Sequence, residues 1–176
     1  MKIIITEGQL KNLKESFDLD KIKNLVKTGD YNNISIALEI SKNLSQEEQD
    51  EIQDTLLTTW LNGYFQRTYS FDKWMKVNPR TLIIRDKEVG YIPKNIFKLN
   101  PKRLAIFNTD ITEIPETLGQ IQRLKSLEIP NNNLTTIPNT IFNLPNLTRL
   151  SLEGNPISKE ELERIKRNLP NTEVYY

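Results

Sequence analysis

The residues of this chain that could do chemistry are few, and the densest group is a set of carboxylates after Ser45. Carboxylate oxygens are the ligands that Ca²⁺ and Mg²⁺ prefer in proteins. The cluster begins a segment with helical apolar spacing, where negative charge is favoured by the helix dipole. Neither EF-hand spacing nor a glycine-rich phosphate loop accompanies it. We therefore interpret it as the solvated start of a helix, and predict no metal site and no cofactor. Its members are Glu47, Glu48, Asp50, Glu51 and Asp54.

Composition excludes most enzyme classes. The 176 residues include no histidine and no cysteine, so histidine triads, cysteine nucleophiles, zinc hydrolysis sites, iron–sulfur clusters and disulfides are all excluded. An enzyme would have to depend on carboxylates, lysine, tyrosine, serine or threonine. We predict that the chain is not an enzyme.

Charge does not direct the chain to nucleic acid or to membranes. Lys and Arg number 24 against 23 Asp and Glu, a net charge of +1. Nucleic-acid binding would need a continuous basic stripe, whereas the basic clusters here are short, and we interpret the second as a solvated helix end. No apolar stretch has the length of a signal peptide or a membrane span. We expect a cytoplasmic protein, with a virion-associated one as the other expectation. The two clusters are Lys98, Lys102 and Arg103, then Arg164, Lys166 and Arg167.

The elements that position these residues follow from an internal repeat. An Ile-Pro step recurs at Ile92-Pro93, Ile114-Pro115 and Ile137-Pro138, spaced 22 and then 23 residues. Such a period is the signature of stacked repeat architectures. Apolar positions recur in the same register, and the aligned strand pairs are Leu82/Ile84, Leu104/Ile106, Leu127/Ile129 and Leu150/Leu152. Their alternation predicts short strands with one buried face, so Glu128 is expected to face outward.

The two most regular units carry an asparagine at a fixed position. They read Leu124-x-x-Leu127-x-Ile129-x-x-Asn132-x-Leu134 and Leu147-x-x-Leu150-x-Leu152-x-x-Asn155-x-Ile157. This pattern resembles that of the leucine-rich repeat family. The resemblance implies an α/β fold over residues 79–176: a short right-handed solenoid of about four repeats, with parallel strands on its concave face. The first two units carry Lys87 and Thr109 where the family has asparagine.

The end of the repeat segment predicts a cap. Ser158 and Glu161 form a capping box, and Pro170 ends the helix that follows. Residues 174–176 are expected to add a last strand. Asn132 and Asn155 should lie inside turns and bond backbone groups that would otherwise be buried without partners.

Residues 1–78 have no such repeat and predict a helical capping region. Capping signals at Thr6, Asp20 and Ser45 indicate successive helices, with another carrying Ile34 to Leu44. The stretch from residue 64 to residue 75 contains five aromatic residues. We interpret it as a buried joint that seals the first repeat, and an exposed aromatic binding site is the alternative.

The resemblance also implies a binding surface, because the variable positions between the leucines of this family point outward from the concave strands. An apolar centre flanked by charge is typical of protein–protein interfaces. The alternative is that Phe107 merely covers the strand row beside the cap. The candidate residues are Ile83, Arg85, Arg103, Ala105, Phe107, Glu128, Pro130, Arg149 and Glu153.

Two functions fit these patterns best, and a carboxylate-dependent enzyme or a glycan binder is a third, less favoured one. The first is a non-enzymatic protein-interaction module that binds a protein partner, of unidentified kind, through its concave strand face. The second is a structural subunit of a larger assembly, such as a virion or a multiprotein complex, with the helical half as its contact.

Overall fold

The structure is a computed structural model, and it describes residues 19–65, 70–77, 79–85 and 90–176. The chain divides into two compact units, residues 1–73 and 74–176. The helix expected after Thr6 lies outside the described residues. That the first unit caps the repeats stays a prediction, as does the aromatic joint, much of which lies outside the description.

The first unit is helical where it is described. Its helices are α1 (Leu19–Lys27), α2 (Tyr31–Ser41) and α3 (Gln46–Phe65), and each contacts the other two. A further helix, α4 (Phe71–Val77), spans the division between the units. The buried apolar side chains of α1 to α3 form the core of this unit, and they include Ile22, Val26, Ile34, Ala37, Ile40, Ile52, Leu56, Leu57 and Leu61.

Side-chain caps determine where two of these helices begin. Asp30 precedes α2 and accepts hydrogen bonds from the backbone N–H groups of Asn32 and Asn33. Ser45 and Glu48 form the predicted capping box of α3: the Glu48 carboxylate accepts from Ser45 N–H at 2.9 Å, and Ser45 Oγ accepts from Glu48 N–H at 3.3 Å. Asp20 lies inside the first turn of α1, and α2 ends three residues before Leu44.

The second unit contains a parallel sheet whose strands follow one another in chain order. The strands are β1 (Thr81–Arg85), β2 (Arg103–Phe107), β3 (Ser126–Glu128), β4 (Arg149–Ser151) and β5 (Glu173–Tyr175). Leu82, Leu104, Leu127, Leu150 and Val174 lie opposite one another along the sheet. The predicted register is therefore confirmed: successive repeats stack with their leucines aligned in the core.

The return side of each coil is a short 3-10 helix that begins after an Ile-Pro step. These helices are Lys94–Leu99, Glu116–Gln120 and Asn139–Asn143, and they follow Pro93, Pro115 and Pro138. Each contacts the next, just as the strands do on the opposite side of the coil. Proline is favoured at this position because its ring fixes φ. It has no backbone N–H, but N–H groups at the start of a helix have no partner within the helix, so no hydrogen bond is lost. The result is a solenoid with strands on one side and 3-10 helices on the other.

Asparagines satisfy the buried backbone at the turns, as predicted. Asn132 Oδ1 accepts from the N–H groups of Thr109 at 3.1 Å and Ile111 at 3.2 Å. Its Nδ2 donates to the carbonyl oxygens of Ile106 at 2.9 Å and Pro130 at 3.0 Å. Asn155 does the same one coil later, where its Oδ1 accepts from Leu134 N–H and its Nδ2 donates to the Ile129 and Leu152 carbonyls.

The turns after β2, β3 and β4 each contain a residue with a left-handed backbone. Asn108 and Asn131 have φ of 52° and 53°, and Gly154, at the equivalent place in the next coil, has φ of 72°. Asparagine and glycine tolerate this region better than other residues. A Cβ atom on Gly154 would lie 2.1 Å from Asn131 Oδ1, the end of an exposed side chain, and 3.3 Å from Asn131 Cα; the positive φ is therefore the main reason for glycine in the fourth repeat.

The C-terminal cap is α5 (Lys159–Asn168), and its start differs from the prediction in one respect. Ser158 is the N-cap and accepts from Glu161 N–H at 3.2 Å. The Glu161 carboxylate instead accepts from Thr136 Oγ1 at 2.8 Å and from Ile137 N–H at 3.1 Å, in the third repeat. Arg164, expected on a solvated face, binds that carboxylate with two contacts of 2.6 Å. Docking of the cap against the previous coil uses these polar groups.

Candidate functional site

The outer surface of the sheet, here called the strand face, carries the side chains that alternate with the core leucines. The strand face has one row of side chains at the first strand position and one at the third. The first row is Thr81, Arg103, Ser126, Arg149 and Glu173, and the second row is Ile83, Ala105, Glu128, Ser151 and Tyr175. Arg85 and Phe107 end β1 and β2 and lie opposite one another.

The candidate residues differ widely in exposure. Those on the solvent side are Arg85, Arg149 and Glu153, whereas Ile83, Arg103 and Phe107 are half-buried. Ala105 has no exposed surface, and Glu128 and Pro130 are also buried. Fewer residues are therefore available to a partner than the candidate set contains, because side chains in the middle of the sheet are covered by their neighbours.

Arg103 and Glu128 form the polar centre of the strand face. Arg103 Nε lies 2.8 Å from Glu128 Oε1, and Nη2 lies 2.6 Å from Oε2, a two-contact pair between β2 and β3. Ser126 Oγ donates to the same carboxylate at 2.6 Å. The Arg103 hydrogen bonds hold the pKa of Glu128 below its ordinary value, against the opposing effect of burial. A carboxylate held ionised in this way is a poor general base at neutral pH.

The apolar part of the strand face lies on β1 and β2. Ile83 and Phe107 are half-buried, and the Arg85 guanidinium carbon lies 5.7 Å from the centre of the Phe107 ring. Aromatic and arginine side chains in this arrangement are typical of interface anchors. The expected apolar centre is thus displaced to one end of the sheet, since Ala105 and Pro130 add no accessible surface.

Tyr175 also belongs to the strand face, and it was missing from the candidate list. Its ring lies beneath Arg149, with 4.4 Å between the guanidinium carbon and the ring centre. Its hydroxyl donates to Glu173 Oε2 at 3.0 Å, which raises the pKa of Tyr175. The signal that could have found it is the register itself: Val174 aligns with Leu150, so the next residue must face outward.

Two kinds of feature are absent from the described residues. Among the described residues, no three acidic side chains come close enough to hold a metal ion. In the same residues, no helix has the length and apolar character needed to cross a bilayer. The strand face contains a small apolar pair beside a set of charged side chains, most of which contact one another.

Comparison with known proteins finds one family and two solved structures that are similar to parts of this chain. The sequence profile described as leucine rich repeat matches residues 102–157. A leucine-rich repeat protein of Leptospira interrogans is 41% identical over 49% of this chain and 22% of its own, with a TM-score of 0.48. The leucine-rich repeat domain of the type III effector XopL is 17% identical over 90% of this chain and 48% of its own, with a TM-score of 0.44. A search of curated proteins finds no match.

The repeat register, the asparagine turns and the profile match define the class of protein. The second unit is a leucine-rich repeat solenoid of the α/β class, and it follows the helices of the first unit in the sequence. It spans less than half the length of either solved structure named above. Leucine-rich repeats are a common protein-interaction fold.

Proposed function

We propose that this chain is a non-enzymatic protein-interaction module that binds a protein partner through its concave strand face. The observation that carries the proposal is the pair Ile83 and Phe107, apolar side chains that remain half accessible on an otherwise polar surface. Burial of an aromatic anchor surrounded by polar side chains supplies most of the affinity at many interfaces. The Arg103–Glu128 pair gives the same face a polar centre, because its two contacts fix both side chains between β2 and β3.

The test requires a matched control, and the chain provides one. Phe107 and Phe142 are both half-buried, and each has an arginine over its ring, Arg85 at 5.7 Å and Arg164 at 4.9 Å. Phe107 lies on the strand face, whereas Phe142 lies on the 3-10 helix Asn139–Asn143 on the other side of the coil. Phe107→Ala and Phe142→Ala therefore remove the same side chain from similar surroundings on two faces.

The experiment begins with capture of a partner from a cell lysate on immobilised wild-type protein, followed by its identification by mass spectrometry. The purified partner is then titrated calorimetrically with wild type and both variants. We expect Phe107→Ala to weaken binding about tenfold or more, with the melting temperature nearly unchanged, and Phe142→Ala to bind like wild type. Equal binding by Phe107→Ala contradicts the proposal, and unfolding of that variant shows that Phe107 is core.

A further inference from the structure

Basic side chains occupy successive strand starts at one edge of the sheet. Arg80 immediately precedes β1, Lys102 precedes β2, and Lys125 precedes β3. The N–H of Lys102 donates to the Arg80 carbonyl at 2.8 Å, and the N–H of Lys125 donates to the Lys102 carbonyl at 2.8 Å. These bonds continue the strand ladder, so the three residues are direct neighbours about 4.8 Å apart. We call them the basic row.

The basic row has no internal counter-charge among the described residues. All three side chains are exposed, and none of them forms an ion pair within the described parts of the chain. Neighbouring like charges repel one another and attract an anion to the same surface. The fold thus aligns three cations that are 22 or 23 residues apart in the sequence.

The next row does not cancel this charge. The charge of Arg103 is neutralised by Glu128, and Arg149 lies opposite Glu173 in the register of β4 and β5. The excess positive charge of this edge therefore comes from the basic row itself. At the opposite ends of the strands the exposed charges are of both signs, namely Arg85, Asp110, Glu113 and Glu153, so the described charges there do not form a row of one sign.

We infer that the protein partner presents a segment rich in Asp and Glu to the basic row, laid in extended form across the strands. This rests on the proposed function and specifies the chemistry of the partner at the strand starts, which border the strand face. The row covers two strand spacings, about 10 Å, which is the length of about three extended residues. Ile83 lies three residues further along β1 than Arg80, about 10 Å, within reach of an apolar side chain of the same partner.

An acidic protein segment fits this surface better than nucleic acid does. Three aligned cations are a short track for a phosphate backbone, which is bound by longer basic stripes. Glu153 and Glu173 lie on or beside the strand face and would repel phosphates that extend beyond the row. A peptide can place its carboxylates on the row and neutral or apolar residues elsewhere.

The test is fluorescence anisotropy with a labelled peptide of about eight alternating Glu and Gly residues. Its counterpart has Gln in place of Glu, and a single-stranded oligothymidylate of the same length is the third probe. The variant Lys102→Glu/Lys125→Glu reverses two of the three charges of the basic row. The matched control, Lys94→Glu/Lys159→Glu, makes the same charge change at two exposed lysines outside the strand face.

We expect the Glu peptide to bind wild type, and its affinity to fall as the salt concentration rises from about 0.05 to about 0.5 M. The affinity for Lys102→Glu/Lys125→Glu should be lower than that for wild type by about tenfold or more. The affinity of the control variant for the Glu peptide should fall by less than about twofold. Equal binding of the Gln peptide, or an equal loss in the control, overturns the inference. Tighter binding of the oligothymidylate through the same lysines overturns it in favour of nucleic acid.

The captured partner separates the two proposals. If Phe107→Ala weakens that complex and Lys102→Glu/Lys125→Glu does not, the proposed function stands and the acidic segment is wrong. If Phe107→Ala binds as well as wild type, the proposed function fails, whatever the acidic peptide does.

Discussion

The side chain of Asn132 bonds the hydroxyl of Thr109 across two consecutive repeats, with 2.8 Å between Asn132 Oδ1 and Thr109 Oγ1. Thr109 stands where the later repeats have asparagine, and its short side chain cannot span the turn as an amide does. Both residues are buried, Thr109 completely and Asn132 to 5% exposure. The irregular second repeat is therefore completed by the regular third one.

The first prediction concerns that contact. Asn132→Ala should lower the free energy of unfolding by about 3 kcal/mol or more, because it leaves several buried N–H and carbonyl groups without partners. Asn155→Ala should cost less, since Asn155 is half-buried and water can reach the groups that it bonds. Urea denaturation of both variants measures the difference. Equal costs would contradict the idea that burial decides them.

The second prediction tests the register of β3. Leu127 has no exposed surface, so Leu127→Ala should cost about 2–5 kcal/mol by opening a cavity in the core. Glu128→Ala should cost about 1 kcal/mol, because it breaks the pair with Arg103, whose side chain is 41% exposed and regains water. Urea melts of the two variants check this. A larger loss for Glu128→Ala would mean that the pair, not the leucine, supports the strand.

The third prediction compares two glycines. Gly154→Ala should destabilise by about 1–3 kcal/mol, since the new Cβ would collide with Asn131 Oδ1 at a φ of +72°. Gly63 lies in α3 with open space around it, and Gly63→Ala should stabilise by up to about 1 kcal/mol. Thermal melts followed by circular dichroism distinguish them. Similar shifts of the melting temperature would count against the tight turn.

The fourth prediction concerns acid stability. The hydrogen bonds from Arg164, with smaller contributions from Thr136 and Ile137, lower the pKa of Glu161 to about 2. A carboxylate with a lowered pKa stabilises the folded state above its ordinary pKa of 4.5 and loses that contribution as pH falls towards 2. The contribution is about 3 kcal/mol. The fall in stability between about pH 4.5 and 2 should therefore be smaller in Glu161→Gln than in wild type.

The control for this measurement is Glu163→Gln, which changes an exposed carboxylate on the same helix. Urea melts repeated across the acid range should show the wild-type slope for Glu163→Gln and a shallower one for Glu161→Gln. An unchanged slope in Glu161→Gln would assign the acid sensitivity to other carboxylates.

The register of the sheet was predictable because one physical requirement repeats at every coil. Leu82, Leu104, Leu127 and Leu150 must all face the same core, so their spacing alone aligns the strands. The Glu161–Arg164 pair could not be predicted in the same way. The spacing of Ser158 and Glu161 indicates a capping box, and only the docked position of α5 shows that the carboxylate bonds the coil before it.

The candidate surface shows the same limit. Ile83 and Phe107 follow from strand alternation, whereas the burial of Ala105 and Pro130 depends on how neighbouring side chains cover a short sheet. The basic row was missed because Lys102 was grouped with its sequence neighbours Lys98 and Arg103, whereas Arg80 and Lys125 lie 22 and 23 residues away from it. They become neighbours only when the repeat length is converted into strand spacing.

The turn asparagines have a consequence for how such a chain can grow. Asn132 bonds the backbone of the second repeat, and Asn155 bonds that of the third; Thr140 Oγ1 likewise donates to the Glu116 carbonyl in the coil before it. Each coil thus depends on its successor for polar partners. Duplication of a whole unit copies donor and acceptor together, whereas loss of the last unit leaves the backbone groups of its predecessor without these partners.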